Sequence, residues 1–215
     1  NGKSISGLTA PLFSVVSGEI SDLTLKGSID ISGERETGAF AEKLSGGKLA
    51  GCVSYVQMSG SRAASALSIG GLVGTADNGA VIEDCVNNGD ITITGAYNEE
   101  NGNAMGAVVG YVKTGCTVSG CVNNGTIFAD GNGNTSEYKG ALSGIVGIAN
   151  GSVTIEKCLN AGEVKAVNTN LCVGGILGRT STGDKDIKVI YCANTGKISK
   201  TSATGSERIA GIVSY

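Results

Sequence analysis

The chain has 215 residues, with 36 Gly, 1 Pro, 7 Cys, no His and no Trp, and a net charge of −3. That charge lacks the basic patch of a nucleic-acid binder, and the missing His removes Ser-His and Cys-His catalytic pairs and most zinc sites. The glycines follow no Gly-X-Y period and sit among 40% hydrophobic residues, which excludes collagen and a flexible Gly/Ser polymer.

Glycine is therefore used at fixed backbone positions, either for φ > 0 or for close packing of chain on chain. Aromatic residues are scarce, so the core they leave is narrow. No apolar run approaches the roughly 18 residues of a membrane span, and no transmembrane segment is expected. The chain begins at Asn1 rather than Met, and we read it as one whose export signal has been removed.

Two short motifs alternate along the chain. The first is Gly-rich. Degenerate copies at Ser6-Gly7-Leu8-Thr9 and Gly38-Ala39-Phe40-Ala41 precede Gly70-Gly71-Leu72-Val73-Gly74. Then come Gly106-Ala107-Val108-Val109-Gly110, Ser143-Gly144-Ile145-Val146-Gly147, Gly174-Gly175-Ile176-Leu177-Gly178 and Ala210-Gly211-Ile212-Val213. The second motif follows each Gly unit. Leu23 to Ile29 carries Leu in the Cys place, and Cys52 opens a divergent copy. Cys85-Val86-Asn87-Asn88-Gly89, Cys121-Val122-Asn123-Asn124-Gly125, Cys158-Leu159-Asn160-Ala161-Gly162 and Cys192-Ala193-Asn194-Thr195-Gly196 are full copies. A period of about 34 residues is the signature of a stacked repeat.

Each repeat reads as three short strands: one through the Gly unit, one ending at Cys, one after Asn-x-Gly. Ile91 and Ile93, Ile127 and Ala129, and Val164 and Ala166 alternate as a half-buried strand does. In the Asn-x-Gly turn, Asn bonds local backbone and Gly is expected to supply φ > 0. The Cys and the apolar residue three before it are out of phase, which predicts a bend or bulge between them. Polar segments at 57–66, 95–104, 130–139 and 201–207 absorb the variation in repeat length.

The expected fold is all-β: a right-handed parallel β-helix (β-solenoid) of about six coils of three short strands each. It forms a single repeat domain over 1–215, with repeats near 6–37, 38–69, 70–105, 106–142, 143–173 and 174–215, within a longer native chain. A propeller or β-sandwich is the alternative. Stacking would place Cys52, Cys85, Cys121, Cys158 and Cys192 in one column of buried free thiols. Asn87, Asn123, Asn160 and Asn194 would form a second ladder at a corner. Cys116 and Cys172 fall off the column and fill local gaps. The chain stops inside a Gly unit with no visible cap, which a solenoid end needs.

Gly71-Leu72-Val73-Gly74 and the Cys-x-Asn-x-Gly frame resemble the GLUG-repeat proteins, over residues 6–215. The copies at Cys85, Cys121, Cys158 and Cys192 match well. The resemblance implies a bacterial cell-surface or secreted module, often adhesin-like. Some relatives are peptidases, but that chemistry lies outside such repeats and this chain has no HExxH.

The functional expectation is a non-catalytic module that binds host or cell-surface glycans or proteins through its variable loops. Tyr97, Glu99 and Glu100 in one loop, and Asp130, Glu137 and Tyr138 in the next, are the candidate binding residues. No catalytic residue, metal, cofactor or nucleic acid is expected. The alternative is a carbohydrate-active β-helix enzyme, a polysaccharide lyase or glycoside hydrolase. Hydrolysis needs two carboxylates across a cleft; Asp84 and Glu83 lie beside a Cys-column strand, with Glu156 equivalent to one or the other. A calcium loop at Asp130-Gly131-Asn132-Gly133-Asn134 lacks its closing Glu, since Ala141 holds that position.

Overall fold

The runs after each Asn-x-Gly triplet alternate, and their inward members stack: Ile29, Met58, Ile91, Ile127, Val164 and Ile198 are paired in register as one column. The computed structural model describes residues 2–32, 36–61, 68–95, 103–131, 140–181, 186–201 and 208–214. It is a parallel β-solenoid, all-β, with every strand pairing parallel to its equivalent one coil away. The β-branched composition suits this pleated, half-buried use.

Four sheets wrap a narrow core. The first sheet follows each Gly unit and runs Phe13–Val16, Ala41–Ser45, Val73–Asp77, Val109–Val112, Val146–Ala149 and Leu177–Thr180. The second includes Lys48–Ala50, Val81–Glu83, Thr117–Ser119 and Val153–Glu156. The third has 11 strands and carries the Cys-x-Asn frame and the alternating run after it. The fourth leads into the next Gly unit, through Ser68–Gly70, Ala104–Gly106, Ala141–Ser143 and Cys172–Gly174.

The expectation of three strands per coil is corrected. From Val73 to Ala210, four turns each carry five strands. In the two preceding turns, Leu23–Asp30 and Val53–Ser61 run unbroken where later coils have two short strands. The Gly unit supplies one missing strand, because it joins two strands of different sheets rather than lying within one. Residues 57–61, read as part of a polar loop, belong to the strand Val53–Ser61.

The predicted bend before each Cys has a uniform cause. The residue just before the Cys place is left-handed in every coil: Asp22, Gly51, Asp84, Gly120, Lys157 and Tyr191, with φ between 52° and 61°. One such residue turns the chain from the second sheet into the third and returns the Cys to the inside. Asp and Gly tolerate this conformation, whereas Lys and Tyr pay for it in strain.

The second correction concerns Asn-x-Gly. Gly89, Gly125, Gly162 and Gly196 do not have positive φ. Their requirement is steric. A Cβ at Gly125 would lie 2.1 Å from the carbonyl oxygen of Gly89, and one at Gly162 2.0 Å from that of Gly125. The coils touch backbone to backbone at this corner. The last glycine of the Gly unit is needed for the same reason, since a Cβ at Gly110 would lie 2.6 Å from the Ile69 nitrogen.

Candidate functional site

The motif residues form the frame of the molecule. Asn87, Asn123 and Asn160 are fully buried inside the third sheet. Asn87 Nδ2 donates to Asn123 Oδ1 at 3.0 Å, Asn123 to Asn160 at 2.8 Å, and Asn160 to Asn194 at 2.7 Å. Each Asn also donates to the carbonyl of the Gly two residues on, at 2.8 to 3.0 Å. Every member thus satisfies its own turn and the neighbouring coil. The Gly unit closes against this ladder: a Cβ at Gly144 would lie 2.1 Å from Asn160 Cγ.

The cysteines are all free. Cys52, Cys85, Cys121 and Cys158 are buried, and Cys192 is half-buried in the last coil. Each sulfur of this column donates to two backbone carbonyls, as Cys121 does to Ser119 at 3.3 Å and Ile82 at 3.7 Å. Contact with the neighbouring thiols, then burial, pushes Cys52, Cys121 and Cys192 up from the ordinary thiol range. Thiols on both sides pull Cys85 and Cys158 the other way, against their burial. The carbonyl oxygens decide the balance, because they accept from a thiol and repel a thiolate. The column is one of protonated, inward-facing sulfurs. Cys116 lies in the main core, and Cys172 packs with Ala104, Ala141, Ile148 and Tyr111 in a small second cluster.

The connections from the third sheet to the fourth vary most in length, and they hold 62–67, 95–103, 131–140, 168–171 and 201–208; those from the first sheet to the second vary less, from two residues at 46–47 to six at 181–186. Tyr97, Glu99, Glu100, Glu137 and Tyr138 lie outside the described residues. Asp130 is described, at the end of Ile127–Asp130. Asn168 Nδ2 donates to Asp130 Oδ1 at 3.3 Å, and Asn168 N donates to Thr201 Oγ1 at 3.3 Å. Beside them on the same outer face, Lys165 Nζ stands 5.5 Å from the centroid of the Phe128 ring. The register pairs Phe128 with Thr92 and Lys165 across three coils. This patch of Phe128, Asp130, Lys165 and Asn168 presents an aromatic face, a cation, an acid and an amide. Column alignment of the residues after Asn-x-Gly would have revealed it, since outward positions stack as regularly as inward ones.

The acids weighed for hydrolysis are placed differently from one another. Glu83, Ser119 and Glu156 share one outward column of the second sheet, and Glu83 is ion-paired with Lys48. Asp84 lies past them in the left-handed bend. Among the described residues, no group of three or more His, Cys, Asp or Glu side chains is arranged to hold a metal ion.

A family model described as the GLUG motif matches residues 65–94, which span the Gly unit, its two flanking strands and the Cys85 frame. Residues 65–94 carry the GLUG motif. The GLUG turn is a steric hinge in which Leu72 enters the core and its glycines admit backbone on either side. The turn repeats in register, with Gly70 paired to Gly106 and Val73 to Val109. No curated protein matches the chain. No helix is long and apolar enough to cross a membrane among the described residues.

Proposed function

We propose that this GLUG-motif chain is a non-catalytic binding module of the bacterial cell surface or exterior, engaging glycans or proteins through its variable edge. The observation that carries the reading is the segregation of variation. GLUG turns, Cys bends and Asn corners keep their register, while the connections that vary most in length run from the third sheet to the fourth. A rigid scaffold with variable loops on one edge is a common architecture for recognition. The Phe128–Asp130–Lys165–Asn168 patch adjoins that edge and supplies ring-stacking and hydrogen-bonding groups suited to a sugar or a polar peptide.

The test is binding to a panel of glycans and matrix proteins by the intact chain. It is repeated after 95–103 and 131–140 are each replaced by the shorter connection 168–171. Binding that falls with the replacements supports the reading. Binding unaffected by them, or release of sugar from a polysaccharide panel, refutes it.

A further inference from the structure

We propose that the outward stripe Val53, Val86, Val122, Leu159 and Ala193 is a homodimer interface, across which two chains meet antiparallel. Val86, Val122, Leu159 and Ala193 are the middle residues of Cys-x-Asn frames, Val53 holds the same place between Cys52 and Ser54, and the five lie in one register column on the outer face of the third sheet. The residues on either side point inward, buried in all but the last coil, where Cys192 and Asn194 are half-buried, so the residue between them points out. None of the five is fully buried. Apolar side chains hold this outward column in five successive coils, after Thr24 in the first, where an outward position is expected to be polar.

The occupant is a second copy because the flanking column is self-complementary. That column is the left-handed ridge Asp22, Gly51, Asp84, Gly120, Lys157 and Tyr191. A twofold axis through the coil of Val122 reverses coil order. Val122 then meets Val122 of the second copy, and Val86 meets its Leu159. On the ridge, Asp84 faces Lys157 of the second copy, and Lys157 faces its Asp84. Both residues are exposed, and the Asp84 carboxylate lies along the ridge over Gly120, on the axis side of its own bend. Tyr191, 85% exposed and held at φ 55°, falls on Gly51 of the second copy. The ring at one ridge end meets the smallest residue, one place in from the other end at Asp22. Asp22 Oδ1 lies where a Cβ on Gly51 would come within 2.8 Å, which gives the Tyr191 hydroxyl an acceptor. Glu83 and Glu156, whose like charges would oppose this arrangement, lie past the bend on the second sheet.

At about 4.8 Å per coil the stripe is about 19 Å long. With its flanks it covers much less than the roughly 800 Å² per partner of a stable interface. The dimer is therefore a weak one, to be sought at high protein concentration.

The test is sedimentation velocity of the chain from about 10 μM to 1 mM, with circular dichroism to check folding. The wild type is expected to pass from monomer to dimer without larger species. Val122→Glu, outward and on the axis, should keep the fold and remain monomeric. Asp84→Lys should weaken association about tenfold, and adding Lys157→Asp should restore it. Lys and Asp already occupy this bend in other coils, so both exchanges preserve its backbone. A wild type monomeric to 1 mM, growth beyond dimer, an unaffected Val122→Glu or a double reversal that fails to restore association would each overturn the proposal.

Discussion

Removing one amide from the middle of the Asn ladder should be among the most damaging single substitutions in this protein. Asn123 is fully buried and its side chain takes part in four hydrogen bonds. It donates to Gly125 O and Asn160 Oδ1, and accepts from Asn87 Nδ2 and Gly125 N. A typical hydrogen bond contributes about 1 kcal/mol net, and each buried group left unpaired costs about 1–3 kcal/mol. Asn123→Ala should therefore destabilise the fold by about 4 kcal/mol. In a chain of this size that corresponds to a fall in melting temperature of about 10 °C. Asn194, half-buried at the ladder's end, has one ladder bond and one turn bond, so Asn194→Ala should lose about half as much. Asn124→Ala is the control, because its 2.8 Å bond to Asn88 is exposed and should be worth under about 1 kcal/mol. Urea and thermal unfolding of the three variants measure the series. Equal losses for Asn123 and Asn194, or a loss below about 0.5 kcal/mol at Asn123, would refute the reasoning.

Other substitutions separate steric from conformational demands. Gly125→Ala drives a methyl into the Gly89 carbonyl and should destabilise by about 3 kcal/mol. Gly79→Ala meets only the Gly115 carbonyl oxygen, at an ordinary contact distance of 4.0 Å, and the strain of φ 77°, so about 1 kcal/mol is expected; equal melting shifts would contradict the contrast. The thiol column should be inert to an alkylating reagent at pH 8 in the native state, with Cys192 the first of its members to react, and all seven cysteines should label in denaturant; rapid native labelling of Cys121 would contradict the protonated column. Burial raises Asp77, but hydrogen bonds from Lys43 and Ser45 and the charges of Lys43 and Lys113 outweigh it and hold its carboxyl below the usual range. A group so depressed contributes stability above its unfolded pKa, near 3.9, that is lost as pH falls through the folded value. Asp77→Asn should therefore flatten the stability profile below about pH 4, as read by urea midpoints; an unchanged acid limb would refute it.

The columns were legible in the sequence because a parallel in-register solenoid converts chain periodicity directly into spatial neighbours. Cys121 follows Cys85, and Asn123 follows Asn87, in both senses. The phase slip before each Cys likewise announced the bend that Asp84 and Gly120 make. Tertiary contact decided the rest. The strand count per coil depends on how sharply the GLUG turn folds one sheet away from the next, which periodicity does not encode. The role of Gly125 depends on the Gly89 carbonyl one coil away, and a turn motif read alone assigns it to φ instead. The outer patch around Phe128 and Lys165 and the valine stripe arise from register between coils, where outward residues acquire neighbours that no single repeat contains.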